Sequence, residues 1–335
     1  MNGLTEIRIF SGQTGRDFAI KMCDFLGVKM GDSETIKFSD GNLFVRINEP
    51  IRDKDVFILQ PIGMDPNNEL VELLFWIDAF KRSSANSVTA IIPYFSYAKG
   101  DKKDEPRVSI RARVCADAIE SAGVDRVITM DLHSPQVQGF FKKPVDHLYA
   151  SPLLCEYFRR AGLVEDLVVV SPDAGFAKRA RQYADNLKCD VAIGDKMRTG
   201  HDEKAQIMKV IGDVEGRNCL IVDDFSISGG TLVEIAEAVK ASGANHVYCA
   251  LSHIVLHEEA VQRIENSPIE LLVTTDTVHC PAVANSKTVK IISAAPFFAE
   301  TCRLIHEKRP VGYMFDHIPE AVFQNSFAQQ IAFDF

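Results

Sequence analysis

Several short apolar segments of the sequence end on aspartate, the residue type that binds magnesium ions and sugar hydroxyls. Asp131, Asp173 and the pair Asp223 and Asp224 each follow a segment rich in β-branched residues. In an open parallel sheet, ligands collect beyond the carboxyl ends of the strands. An aspartate in such a place can instead cap a turn or the next helix. Three equivalent places, one of them with His133 nearby, favour a binding site.

The segment after Asp224 has the composition of a phosphate-binding turn. Gly229 and Gly230 lie between the hydroxyl residues Ser228 and Thr231, at the start of a helical pattern. Successive backbone N–H groups of such a turn, together with the positive end of a helix, bind a phosphate. The pattern is neither G-x-x-x-x-G-K-[ST] nor G-x-G-x-x-G. An ordinary strand-to-helix turn is the alternative, and the two preceding carboxylates favour a ligand with both phosphate and ribose hydroxyls, or a magnesium ion.

Two segments concentrate positive charge on a chain whose net charge is −9. Residues 97–113 contain six lysines or arginines against three acids, which would suit a polyphosphate. Residues 194–203 are polar, flanked by glycine, and contain Lys196 and Arg198. We predict that this second segment is a mobile loop that closes over a transferring phosphoryl group. Solvated surface is the alternative for both segments.

The elements that must position these residues follow a regular alternation of short β-branched segments and longer amphipathic ones. This alternation predicts parallel sheets covered by helices on both faces. The expected strands are 7–10, 56–60, 88–93, 127–131, 167–171, 219–223, 247–251, 271–274 and 289–292. The expected helices are 16–26, 69–82, 109–122, 152–161, 174–186, 231–241, 258–265 and 297–307. We therefore expect two similar α/β domains, at residues 1–149 and 150–308, and a C-terminal tail at 309–335.

Composition excludes several classes of protein. The 335 residues are 46% hydrophobic and 25% charged, which argues against disorder. The acidic balance argues against a nucleic-acid or membrane-surface binder. The eight cysteines are scattered without a C-x-x-C pattern, which predicts reduced cysteines in a cytoplasmic protein rather than a zinc site. We expect no signal peptide, because the N-terminus lacks a basic segment followed by an apolar run. We expect no membrane span, because no apolar segment approaches about 18 residues.

The segment Asp131-Leu-His133-Ser-Pro-Gln-Val-Gln-Gly-Phe-Phe-Lys-Lys-Pro-Val-Asp146 resembles the signature of the ribose-phosphate pyrophosphokinase family over its full length. Shorter segments are similar to family segments in the same order, among them 38–41, 93–95, 171–175 and 275–277. The resemblance implies two tandem type I phosphoribosyltransferase-like domains, each a mostly parallel sheet flanked by helices. It also implies a homo-oligomer built from dimers.

The resemblance further implies a reaction and its residues. ATP would transfer its diphosphoryl group to the C1 hydroxyl of ribose 5-phosphate, giving AMP and phosphoribosyl pyrophosphate (PRPP), with Mg²⁺ as cofactor. The implied nucleotide-binding residues are Phe38, which stacks on adenine, and Asp40, Asn42, Lys99, Gly100 and His133. The implied magnesium residues are His133, Asp173 and, in support, Asp131. The implied residues for ribose 5-phosphate are Asp223, Asp224, Ser228, Gly229, Gly230 and Thr231. Lys196 and Arg198 match the catalytic loop.

The chain departs from the common family pattern at some of these positions. Ile227 replaces an acid of the ribose loop, Asn42 replaces a glutamate, and Lys99-Gly100 replaces an Arg-Gln pair. Serines that bind regulatory phosphate in one class of the family are replaced by Pro50, Pro310 and Gly312. We predict weak phosphate activation, weak ADP inhibition and acceptance of other nucleoside triphosphates, as in the phosphate-independent class.

Two other functions are compatible with parts of the sequence. One is a non-catalytic regulatory subunit related to PRPP synthetase, and the presence of Lys196, Arg198, His133 and Asp173 argues against it. The other is a phosphoribosyltransferase that consumes PRPP. A duplicated domain and the 131–146 signature argue against that reading.

Overall fold

The computed structural model describes residues 7–198, 206–316 and 318–327. The chain divides into two compact units. The first contains residues 1–149, 276–279 and 293–335, and the second contains residues 150–275 and 280–292.

The first unit is built around a five-stranded parallel sheet. Its N-terminal strands are β1 (Ile7–Ser11), β2 (Ser33–Lys37), β3 (Leu43–Ile47), β4 (Asp55–Leu59), β5 (Ser87–Ile92), β6 (Arg126–Met130) and β7 (Val145–Leu148). The sheet has the order β1-β4-β5-β6-β7 with every pair parallel, whereas β2 and β3 form a separate antiparallel hairpin. Its N-terminal helices are α1 (Arg16–Leu26), α2 (Pro66–Arg82) and α3 (Arg111–Ser121).

The core of the first unit explains why these segments form these elements. Strands β4 and β5 are almost continuously buried, as expected for a parallel sheet with covered faces. Helix α2 begins with Pro66 in its first turn and buries Leu73, Trp76 and Phe80 against the sheet. The carboxyl ends of β5 and β6, neighbours in the sheet, are thereby held side by side.

The second unit is built around a seven-stranded sheet. Its strands are β8 (Leu167–Ser171), β9 (Asp190–Arg198), β10 (Gln206–Ile211), β11 (Asn218–Ser226), β12 (His246–Ile254), β13 (Leu271–Thr275) and β14 (Val289–Ile292). Its helices are α4 (Ser151–Arg160), α5 (Ala177–Leu187), α6 (Gly230–Ala241) and α7 (Glu258–Glu265). The order is β10-β9-β8-β11-β12-β13-β14, and the pairs are parallel except for the hairpin of β9 and β10.

The C-terminal helices are α8 (Ala295–His306), α9 (Tyr313–Asp316) and α10 (Glu320–Phe327), and they belong to the first unit. Phe298 of α8 packs edge-on against Phe18 of α1 with ring centroids 5.5 Å apart. His306 Nδ1 lies 2.9 Å from a carboxylate oxygen of Asp55 in β4. Residues 276–279 and 293–308, which we expected in the second domain, lie in the first unit. Residues 293–308 do so because the apolar face of α8 is buried against α1.

The expected loop at residues 194–198 is in fact strand. Lys196 and Arg198 are backbone partners of Met208 and Gln206 in the β9–β10 hairpin. A strand forms here despite the polar composition because the cross-strand backbone hydrogen bonds do not depend on side-chain type. The remaining part of the expected loop, residues 199–205, lies outside the described residues.

No helix within the described ranges is long and apolar enough to span a membrane.

Candidate active site

Strand β11 carries two carboxylates at its carboxyl end. The sequence placed Asp223 and Asp224 at and after the end of the strand, but the strand continues to Ser226, so both acids lie within it. Neighbouring strand residues face opposite sides of a sheet. Asp223 Oδ1 accepts a hydrogen bond from the backbone N–H of Asp224 (2.9 Å), and Asp224 Oδ1 accepts one from Phe225 (2.9 Å).

The carboxyl group of Asp223 has an unusual protonation equilibrium. Burial, followed by the charge of Asp224 and that of Asp173, raises its pKa from 3.8 to about 8. A guanidinium nitrogen of Arg179 lies 3.9 Å from Asp224 Oδ2, where it partly balances this negative charge. The sequence analysis did not identify Arg179, although its place on α5, six residues after Asp173, was the available signal.

The glycine turn follows directly and starts helix α6. Gly229 has φ +70°, a left-handed conformation, and a Cβ at this position would lie 3.1 Å from the side chain of Ile264. Ser226 Oγ accepts the N–H of Gly229 (3.2 Å), and Ser228 Oγ accepts that of Gly230 (3.4 Å). The N-terminal N–H groups of α6, and the exposed Thr231 beside them, form the anion-binding end of a helix.

Asp173 lies at the end of β8, the strand next to β11. Its backbone carbonyl accepts from Ser171 Oγ (2.6 Å), and its Oδ1 accepts from the N–H of Phe176 (2.9 Å). A Cβ on Gly175 would lie 3.1 Å from the same Oδ1. This local network holds an exposed carboxylate close enough to affect the pKa of Asp223.

Strand β9 extends beyond the carboxyl end of β8, and Lys196 and Arg198 lie in this extension. Strand β9 runs parallel to β8, and Ile193 is the partner of Ser171, the last residue of β8. At about 3.3 Å per residue, the backbone of Lys196 lies roughly 10 Å beyond the end of β8. The second unit thus brings Asp173, Asp223, the glycine turn and the backbone of this cationic segment to one edge of one sheet.

The described residues contain no group of three or more His, Cys, Asp or Glu side chains that could hold a metal ion. Magnesium is commonly held by one or two carboxylates, with water and substrate phosphates as its other ligands. Asp173 and Asp223 offer carboxylates of this kind at the carboxyl ends of the neighbouring strands β8 and β11.

In the first unit, the chain after β6 turns sharply at Asp131. Asp131 is 8% exposed, has φ +39° and donates its backbone N–H to the carbonyl of Leu148 (3.0 Å). The next N–H, that of Leu132, donates to Nε2 of the buried His147 (2.9 Å). His133 follows as an exposed side chain. His147 was not among the residues identified from the sequence, although it directly follows the 131–146 signature.

Lys99 and Gly100 follow the neighbouring strand β5, so they share this edge with His133. Lys99 Nζ lies 5.6 Å from the ring centroid of Tyr94. A Cβ on the buried Gly100 would lie 2.7 Å from Arg111 Nε, so glycine permits the close approach of this arginine.

Phe38, Asp40 and Asn42 lie at the tip of the β2–β3 hairpin. The ring of Phe38 is 51% exposed and lies 6.3 Å from that of Phe44. Asp40 accepts hydrogen bonds from the backbone N–H of Asn42 (3.0 Å) and from its side-chain amide (2.8 Å). These hydrogen bonds lower the pKa of the Asp40 carboxyl group below its ordinary value. The tip is therefore an ordered turn that presents an aromatic ring to solvent.

Comparisons with known proteins agree across nearly the whole chain. Residues 7–123 match the family model for the N-terminal domain of ribose phosphate pyrophosphokinase, and residues 196–316 match the phosphoribosyl synthetase-associated domain. A ribose-phosphate pyrophosphokinase of Caldanaerobacter subterraneus subsp. tengcongensis is 44% identical over 92% of this chain and 98% of its own. The ribose-phosphate pyrophosphokinase of Clostridium tetani is 42% identical over 93% of this chain and 98% of its own.

A solved structure supports the same relationship. Phosphoribosylpyrophosphate synthetase from Mycobacterium smegmatis superimposes with a TM-score of 0.84 at 36% identity, covering 90% of this chain and 99% of that one. The similarity therefore extends over both units of the chain.

Proposed function

Because the chain belongs to the ribose-phosphate pyrophosphokinase family, and is thus a diphosphotransferase of nucleotide biosynthesis, we propose that its substrates are ATP and ribose 5-phosphate. The observation that carries the proposal is the pairing, at one edge of the second unit, of two carboxylates with a glycine turn at a helix N-terminus. A sugar phosphate has the complementary chemistry: hydroxyls that donate to carboxylates, and an anion that accepts from N–H groups.

Ribose 5-phosphate would bind in the second unit. Asp223 and Asp224 would accept hydrogen bonds from the ribose hydroxyls. The 5-phosphate would accept from the turn formed by Ser228, Gly229, Gly230 and Thr231. The exposed Ile227 stands where family relatives carry another acid, so these two aspartates would carry the ribose contacts.

ATP would bind in the first unit. Phe38 would stack on the adenine ring, with Asp40 and Asn42 at the polar edge of the base. Lys99, Gly100 and His133 would contact the nucleotide at the carboxyl ends of β5 and β6. The single charge of Lys99 and the missing side chain at Gly100 offer fewer directional contacts than the Arg-Gln pair of relatives. This supports acceptance of other nucleoside triphosphates.

Magnesium is the cofactor that these residues suit. In the second unit, Asp173 would hold a magnesium ion. In the first unit, His133, with Asp131 in support, would bind magnesium together with the phosphates of ATP. When bound, magnesium neutralises charge on the transferring phosphoryl groups.

In the proposed reaction, the C1 hydroxyl oxygen of ribose 5-phosphate forms a bond to the β-phosphorus of ATP. The bond from that phosphorus to the oxygen bridging to the α-phosphate breaks, AMP leaves, and the hydroxyl proton passes to solvent. Lys196 and Arg198 would neutralise the charge that develops on the transferred group. The loss of one such contact typically slows a reaction by about 10²–10³.

The purified protein, supplied with ATP and ribose 5-phosphate but no nucleobase, tests this function. We expect AMP and PRPP in equal amounts. A non-catalytic subunit would form neither, and a PRPP-consuming transferase would need the nucleobase. Lys196→Ala should lower kcat about 10²–10³-fold, whereas Lys209→Ala, which changes an exposed lysine on β10, should leave it unchanged.

We also propose a cellular location, an oligomeric state and a mode of regulation for the enzyme. All eight cysteines are free thiols and seven are buried, which supports a reducing, cytoplasmic location. By family, we propose a homo-oligomer built from dimers, with weak phosphate activation and weak ADP inhibition.

A further inference from the structure

We propose that Glu72, through Thr35, is a positioning residue that holds the β2–β3 hairpin in the place where it binds the nucleotide. Glu72 lies on α2, is 4% exposed and faces away from solvent. The inference rests on the proposed function, because it assumes that the hairpin tip contacts the base.

One oxygen of Glu72 accepts from three different parts of the first unit. Its Oε1 lies 2.7 Å from the hydroxyl of Thr35 on β2 and 3.1 Å from the backbone N–H of Gln13, just after β1. The indole N–H of Trp76, one turn further along α2, lies 3.5 Å away. A single side chain on a packed helix therefore links the hairpin to the loop that follows β1.

The hairpin needs such attachments because two strands alone are only marginally stable in water. Its inner face is set by the register: Thr35 pairs with Val45, and directly opposed residues of an antiparallel pair share one face. Val45 and Ile47 pack against the core that contains α2. Apolar contacts of this kind hold the hairpin against the unit but do not fix its position along the helix.

The hydrogen bond between Thr35 and Glu72 is a directional contact, and it fixes the position of the hairpin along α2. A bond to a charged acceptor has a preferred distance and angle, which apolar packing lacks. Thr35 is three residues before Phe38, or roughly 10 Å along the strand. A shift of the hairpin at Thr35 is therefore transmitted to the aromatic ring at its tip.

The test compares Thr35→Val, which removes the hydroxyl but keeps the β-branched shape, with Thr35→Ser, which keeps the hydroxyl. Hydrogen bonds to charged groups are worth about tenfold or more in an equilibrium. We expect Thr35→Val to raise KM for ATP roughly tenfold, with KM for ribose 5-phosphate and kcat unchanged. Thr35→Ser, which keeps the donor, should stay within about threefold of the native KM. Glu72→Gln, which keeps an acceptor oxygen but removes its charge, should raise KM for ATP by less than Thr35→Val does.

Glu69→Gln is the matched control. Glu69 lies one turn earlier on α2 and is equally buried, but its hydrogen bonds go to the N–H of Gly63 (2.6 Å) and to Thr14, which lie outside the hairpin. It should leave KM for ATP unchanged even if it lowers the melting temperature.

Hydrogen–deuterium exchange of residues 33–47 gives a readout that does not depend on activity. Exchange in Thr35→Val should be about tenfold faster than in the native protein, and Thr35→Ser should match the native rate. The inference is overturned if Thr35→Val leaves both KM for ATP and this exchange within about twofold of native values. It is also overturned if the KM values for both substrates rise together. If the native protein makes no AMP, the proposed function fails, and the exchange comparison alone decides whether Glu72 fixes the hairpin.

Discussion

Replacing Asp223 by asparagine should stabilise the ligand-free protein, and the gain should grow as the pH rises. The pKa of this carboxyl group is raised from 3.8 to about 8 by burial and by its acidic neighbours. An acid with a raised pKa in the folded state binds more protons than in the unfolded state. Between about pH 4 and pH 8 the unfolded chain loses this proton while the folded protein keeps it, so stability falls progressively over this range.

The magnitude follows from the same values. At about 1.4 kcal/mol per pH unit, the difference between the two pKa values lowers the free energy of unfolding at pH 8 by at most about 6 kcal/mol. Relaxation and water penetration reduce this, and we expect Asp223→Asn to recover about 2–3 kcal/mol. For a unit of this size, that raises the melting temperature by about 6–9 °C at pH 8 and by about 2 °C at pH 5.

Thermal unfolding in EDTA without substrate, from pH 5 to pH 9, measures the difference in melting temperature between Asp223→Asn and the native protein. Glu237→Gln, which alters an exposed carboxylate on α6, should track the native protein at every pH. A gap between Asp223→Asn and the native protein that stayed constant with pH would refute the reasoning. Asp223→Asn should nevertheless lower the affinity for ribose 5-phosphate. The carboxylates of Asp223 and Asp224, which repel each other, are the proposed hydrogen-bond acceptors for the ribose hydroxyls.

Three further outcomes are expected. Gly229→Ala forces a Cβ into a left-handed residue 3.1 Å from Ile264, so KM for ribose 5-phosphate should rise about tenfold; an equal rise in KM for ATP would contradict a local effect. Phe298→Ala should destabilise the first unit by about 3–5 kcal/mol in thermal or denaturant unfolding, with a smaller loss for the partly exposed Phe323→Ala. Initial rates with ATP, GTP and CTP should show activity without added phosphate, and dependence on phosphate would contradict the reading of Pro50, Pro310 and Gly312.

Much of the fold could be predicted from hydrophobic patterns. Strand β8 and the first half of β11 are continuous apolar runs, which are typical of a parallel sheet with covered faces. The strands that the sequence did not predict are β2, β3, β7, β9 and β10. Each of them contains charged residues, and its formation depends on pairing with another strand, which the hydrophobic pattern alone does not identify as its partner.

The site was predictable where one segment carries its own signal. The aspartate pair and the glycine turn are contiguous in sequence, and the structure keeps them together at one edge. Arg179, His147 and Glu72 act across long separations, through contacts with Asp224, Leu132 and Thr35. Arg179 and His147 lie near segments that the sequence did identify, but the sequence does not show which distant residue each of them contacts. The roles of the individual site residues stay predictions until the variants are measured.

The return of helix α8 to the first unit has a consequence for biosynthesis. A ribosome releases α1 with its apolar face uncovered, and the helix that buries Phe18 is synthesised nearly 300 residues later. The N-terminal part of the nascent chain therefore exposes apolar surface while the whole second unit is translated and folds. Fragments that end near residue 149 should aggregate, and chaperones that shield nascent chains should be needed most during this interval.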